Sequence, residues 1–168
     1  QYVSGWMFDS FGLHPTLGRL LTENDDLKPG AHPYAVLSYA YWTSRFNRDP
    51  GVLGRTLQIG NTLYEIVGVG PKTFTGTEPG TITDVFLPTM MYPGVSRPDA
   101  DWIRTLVLVQ PGVPIEPLRQ KMDAVSRAFE AERAKGAPAM PKWVLDAWLN
   151  QKMLMESAPG GVSVMQND

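Results

Sequence analysis

The sequence predicts an α+β fold, and three observations lead there. Arg55–Ile59 and Thr62–Val69 read as a hairpin joined by Gly60-Asn61. A compact apolar run, Tyr34–Leu37, and a short strand ended by Pro88, Asp84–Leu87, lie on either side of it. A long amphipathic helix pattern, Ile115–Lys135, stands apart from these strands, nearer the C-terminus. Strands grouped together with helices following, instead of a regular strand–helix alternation, favour α+β over a doubly wound sheet.

Taken in order, Val3–Phe11 carries Trp6, Met7 and Phe8 around Gly5 and predicts a short helix with a buried end, broken at His14-Pro15. Leu17–Leu21 predicts a short strand. Glu23–Pro33 is polar, contains Pro29-Gly30 and reads as a loop. Tyr34–Leu37 is a buried strand, after which Ser38 stands where an N-cap belongs. Tyr39, Trp42 and Phe46 share one face of a helix over Ser38–Phe46, and Asn47–Pro50 ends it. In the hairpin, Leu57 and Ile59 share a face, and Leu63 points away from Tyr64. Thr73–Thr83, rich in Thr, Gly and Pro, is expected to be irregular, and Asp84–Leu87 is a strand stopped by Pro88.

Pro93–Asp101 reads as a junction, which divides the chain into a β-rich lobe with short helices (1–98) and a second lobe (99–168). In the second, Thr105–Val109 predicts a strand. Ile115, Leu118, Met122, Val125 and Phe129 form one apolar helical face, and Lys135-Gly136 closes the helix. Pro141 opens a further helix carrying Trp143, Val144, Trp148 and Leu149. Met153–Met155 predicts a last strand, and the tail from Ser157 is Gly-rich and weakly structured.

The chain has 168 residues and is 43% hydrophobic, enough for a real core in one domain or two small ones. With 15 basic against 17 acidic residues and no basic stripe, nucleic acid is a poor partner. Cysteine is absent, which excludes disulfides, thiolate metal sites and thiol catalysis. No apolar run approaches the roughly 20 residues of a membrane span. The chain opens on Gln1-Tyr2 without Met or a charged leader, as expected for a soluble piece of a longer protein.

No catalytic, cofactor-binding or metal-binding set emerges. His14 and His32 each precede a proline in a loop and lack the second partner an acid–base histidine needs. Glu23, Asp25 and Asp26 could ligate a hard cation but lack the full loop pattern, so a solvated acidic loop is expected. Gly68-Val69-Gly70 follows a strand, yet position 73 is Thr and Pro71 blocks the helix a dinucleotide site would need. No Lys follows Gly76 as a phosphate loop requires, and Ser38 lacks a hydrolase elbow. Trp6, Trp42, Trp102, Trp143 and Trp148 are dispersed as core or interface residues and not as a sugar platform. Arg19 and Arg55 are expected to pair with Glu65, Asp25 or Asp84, a structural use favoured over anion binding.

An ordered set of weaker motifs carries more information than any of these. It runs through Met7-Phe8, Gly18-Arg19, Val36-Leu37-Ser38, Phe46, Val52-Leu53-Gly54-Arg55-Thr56-Leu57, Tyr64-Glu65-Ile66-Val67-Gly68-Val69 and Asp84-Val85-Phe86-Leu87-Pro88. In this order and spacing, from Val3 to about Met91, the chain resembles the MacB-like periplasmic core domain of FtsX-type ABC transporter permeases. More loosely, Thr105–Val109, Ile115–Lys135 and Glu156–Ser163 resemble the later part of the same domain.

The resemblance implies a two-lobed body: a mostly β middle lobe and part of a ferredoxin-like α/β lobe. Residues 99–168 would be the C-terminal half of the α/β lobe, with its first half missing. It implies a non-catalytic extracytoplasmic domain of a bacterial inner-membrane protein, serving in export or in lipoprotein or peptide handling, with no cofactor. Its partners would be the transmembrane helices of the parent permease, an ATP-binding subunit reached through the membrane part, and a periplasmic adaptor or second permease half. With part of its lobe missing, the helix face of Ile115–Phe129 is expected to be under-covered and the chain to self-associate or adopt a swapped arrangement. The competing reading is a secreted ligand-binding module or small hydrolase, with Thr73–Thr83 covering a pocket. Apolar spans on both sides in the parent gene would separate the two.

Overall fold

The structure is a computed structural model and describes residues 1–78, 80–97, 103–136, 141–155 and 158. The described residues form two compact units, one within residues 1–103 and one within residues 104–158.

Unit 1 is built on a six-stranded mixed sheet of β1 (Tyr2–Val3), β2 (Leu17–Gly18), β3 (Tyr34–Leu37), β4 (Thr56–Ile59), β5 (Thr62–Val69) and β6 (Val85–Pro88). The order is β1-β6-β3-β5-β2, with β4 also paired to β5. β3 and β2 both meet Val69, while β3 and β4 both meet Glu65. β2 and β4 therefore lie end to end along the edge of β5 opposite β3. Flanked by β5 and β6, β3 carries Ala35, Val36 and Leu37, all with no exposed surface.

The β4–β5 hairpin forms as predicted, Ile59 opposite Thr62 and Leu57 opposite Tyr64, with Gly60 at φ 58° in the turn. Tyr64 is buried and Leu63 is exposed. Burial, then a hydrogen bond with Tyr2, pushes the Tyr64 phenol up to about 12.

A register shift between Ala35 and Val36 marks a bulge where β3 pairs β5, and on the other side of β5 Gly68 faces Gly18. Here the backbones come too close for a side chain: a Cβ on Gly68 would sit 1.8 Å from the Arg19 carbonyl oxygen. Glycine at 68 is what lets β2 lie on β5.

Helix α1 (Met7–Ser10) is shorter than the sequence predicts, because Tyr2–Val3 is drawn into β1, parallel to β6. Phe8 is its buried end, packed edge-to-face on Phe86. Helix α2 (Tyr39–Phe46) starts as expected: the Tyr41 N–H donates to Ser38 Oγ at 3.1 Å. It ends at Asn47, whose φ is 49°, and Trp42 Nε1 donates to the Asp49 carbonyl at 2.9 Å. Thr73–Thr83 has no regular structure among its described residues. It sends Phe74 against the core residues Phe8 and Phe86.

Unit 2 contains α3 (Ile115–Lys135) and α4 (Lys142–Leu149), with Pro141 as the N-cap of α4. The predicted strand Thr105–Val109 is irregular, and Leu106, Val107 and Leu108 are exposed. Their β-propensity finds no neighbouring strand among the described residues, and a strand without a ladder is not stable. Met153–Met155 is likewise not a strand: the Met153 N–H donates to Asp123 Oδ1 at 2.8 Å instead of to a ladder. That bond, then Arg127, holds the Asp123 carboxyl below the ordinary carboxylate range. Within α3, Arg119 forks onto Glu116, which it holds down to about 2. The tail from Ser157, apart from Ala158, and Trp102 lie outside the described residues.

Candidate functional site

Three features could carry function: an acidic turn that ties unit 1 together, a shallow hollow in unit 2, and an apolar helix face.

The turn is made by Thr22 and the single 3-10 turn Glu23–Asp26. It is not the solvated acidic loop that the sequence suggests. Asp25 is 6% exposed. Its Oδ2 accepts from the Thr22 N–H at 2.8 Å and from Thr22 Oγ1 at 3.0 Å. Arg19 grips it with both terminal nitrogens, at 2.6 and 3.0 Å. Burial raises the Asp25 pKa, but the Arg19 fork and the Thr22 N–H outweigh it and hold the carboxyl below its ordinary range. Asp26 accepts two further N–H groups, from Gly5 at 3.1 Å and from Met90 at 2.7 Å. These carboxylates are occupied with the chain itself, and only Glu23 points into solvent.

Arg19 therefore pairs with Asp25, one of its expected partners, and its guanidinium also lies 5.1 Å from the centre of the Tyr34 ring. Arg55 stacks on Phe46 at 5.5 Å. Both arginines serve packing. His32 stacks on Tyr34, and its buried Nδ1 has no partner among the described residues. No three His, Asp or Glu side chains converge as a metal would need among the described residues.

The hollow lies between α3, α4 and the residues after α4, encloses about 180 Å³, and is lined by Arg127, Glu130, Trp148 and Lys152 among others. Its charged walls are partly spent: Arg127 pairs with Asp123 at 2.7 Å, and Glu130 with Arg133 at 2.9 Å. On α3, Val125 is 66% exposed and Phe129 62%, while Leu118 and Met122 are half-buried. The expected under-covered face is present. Among the described residues, no helix is long and apolar enough to cross a membrane.

Among the described residues the acidic turn fastens backbone segments, and the helix face presents apolar side chains at the surface. The model of the MacB-like periplasmic core domain matches residues 1–125. The chain belongs to the MacB-like periplasmic core domain family. A MacB-like periplasmic core domain is an extracytoplasmic domain of ABC transporter permeases of the inner membrane, and this chain is one such domain.

The periplasmic region of MacB from Actinobacillus actinomycetemcomitans has a similar fold, with TM-score 0.52 and 16% identity over 76% of this chain and 55% of that one. A domain assigned to a permease protein of Porphyromonas gingivalis is also similar, at TM-score 0.46 and 20% identity over 71% of this chain and 49% of its own. The chain thus spans about half the length of these structures. No curated protein sequence matches it. The matched residues take in the whole sheet of unit 1 and α3 as far as Val125.

Proposed function

We propose that this domain is a passive relay: it couples movement of the transmembrane helices of its parent permease to the periplasmic side during export or lipoprotein or peptide handling. ATP would be hydrolysed by a separate nucleotide-binding subunit. The partners would be the parent's own transmembrane helices, that ATP-binding subunit through the membrane part, and a periplasmic adaptor or second permease half.

One observation carries the reading. Family membership puts the domain on a permease, and polar side chains of unit 1 are engaged in cross-linking its backbone segments. Arg19, Asp25 and Asp26 illustrate this. A relay needs stiffness, because a body that deforms absorbs displacement instead of passing it on. Packed cores and hydrogen-bonded turns switch between discrete arrangements and do not bend continuously.

Because the chain has no cysteine, spin labels can be placed on it at chosen positions. In the intact permease, label distances between unit 1 and the membrane part are expected to shift between nucleotide-free and nucleotide-bound states. Unchanged distances would sink the relay. The purified chain is expected to hydrolyse no ATP above a mock preparation.

A further inference from the structure

Two backbone segments run side by side at one edge of unit 1. β1 lies parallel to β6, with Tyr2 opposite Leu87 and Val3 opposite Pro88. The Leu87 N–H donates to the Gln1 carbonyl at 2.9 Å, and the rings of Tyr2 and Tyr92 meet edge-to-face at 5.3 Å. A ladder of two residues is a weak tie, since so short a strand pair has little stability of its own.

The reinforcement comes from a third segment. Asp26 Oδ2 accepts the Gly5 N–H just past β1, and Oδ1 accepts the Met90 N–H just past β6. One carboxylate bridges the two backbones. Its position is set in turn by the 3-10 turn, which Asp25, Thr22 and Arg19 hold. Two more contacts lock the same spot. The Gly30 N–H donates to the Met90 carbonyl at 2.8 Å. Gly5 packs so closely on the turn that a Cβ there would lie 2.3 Å from the Thr22 carbonyl oxygen.

We infer that Asp26 is a positioning residue, a pin that makes residues 1–5 and 88–92 move as one body. A displacement reaching either segment is then delivered to the other and is not lost to sliding of the short β1–β6 ladder. Hydrogen bonds to a charged acceptor are stronger than neutral ones, which suits a carboxylate to the task. The inference rests on the relay reading and names the residue through which unit 1 would transmit.

The test is amide hydrogen exchange on the full chain, followed by NMR, for the wild type, Asp26→Ala and Asp26→Asn. In D26A the Gly5 and Met90 amides are expected to exchange together, about tenfold faster or more. The core amides of Ile66 and Val69 should keep their rates. D26N retains one acceptor oxygen, so only one of the two amides should be released, and this variant serves if D26A folds poorly. Unchanged Gly5 and Met90 amides in D26A would overturn the pin. So would acceleration of the core amides by the same factor, which would make Asp26 a general stability element. In the intact permease, D26A should lower transport. Transport at the wild-type rate, in a permease whose wild-type domain still moves with nucleotide, overturns the pin and leaves the relay standing. Absence of that movement in the wild type fails the relay itself.

Discussion

Arg19 and Asp25 are unequal partners: the Asp25 side chain is 7% exposed and that of Arg19 is 45% exposed. The pair's pH dependence follows from the direction of the Asp25 shift. A carboxyl whose folded pKa is depressed contributes stability above its unfolded value, and that stability is lost as pH falls through the folded value. Arg19→Ala is expected to cost about 1–2 kcal/mol near neutral pH, discounted for the exposure of Arg19. The gap between variant and wild type should close as pH falls below about 4. Urea unfolding at several pH values measures this, and a gap that persists in acid would contradict it. Gly68→Ala is a harsher change. Its methyl would meet a backbone oxygen that cannot rotate away, so a loss of about 3 kcal/mol or more is expected, with the β2 amides losing protection first.

Helix α2 begins where a polar cap meets a buried start. Ser38 is 2% exposed, accepts the Tyr41 N–H through its hydroxyl, and donates its own N–H to the Asp84 carbonyl. Ser38→Ala is expected to cost about 1–2 kcal/mol, the upper part of the range for a cap, because water cannot replace the hydroxyl there. A lower urea midpoint with an unchanged m-value would report it. Elements of this kind were legible in the sequence because their signals are local. Ser38 precedes its helix directly, Gly60-Asn61 joins adjacent strands, and the spacing of Ile115 to Phe129 lies within one element. β1 was not legible, because Tyr2–Val3 is a strand only by virtue of Leu87 and Pro88, far along the chain. Thr105–Val109 erred the opposite way: β-branched residues signal a strand, but a strand also needs a neighbour.

At the scale of the whole molecule, the exposed Val125 and Phe129 lie on a helix that also carries buried Asp123, and the Arg133 guanidinium lies over the rings of both Phe129 and Trp148. Apolar surface left in water drives association at roughly 25 cal/mol for each Å² removed from it. The chain alone is expected to self-associate in a concentration-dependent way. Phe129→Glu should weaken that association without unfolding the sheet of unit 1. Light scattering across a concentration series, with circular dichroism of both proteins, checks it. A strictly monomeric wild type would count against it. Such association would belong to the isolated chain and implies nothing about the assembled permease.

By itself the sequence determined the α+β class, the hairpin, the capped helix and the absence of thiol chemistry, and its ordered motifs pointed to a permease domain. Each of these depends on residue type or on neighbours within a few positions. Only the tertiary structure decided that Asp25 and Asp26 form a fastening instead of part of a solvated loop. It also decided that β2 and β4 share one edge of β5, and that Gly5 and Met90 end on the same carboxylate. Those outcomes depend on which distant backbone arrives beside a side chain. A carboxylate looks the same in sequence whether water or two distant backbone amides will meet it.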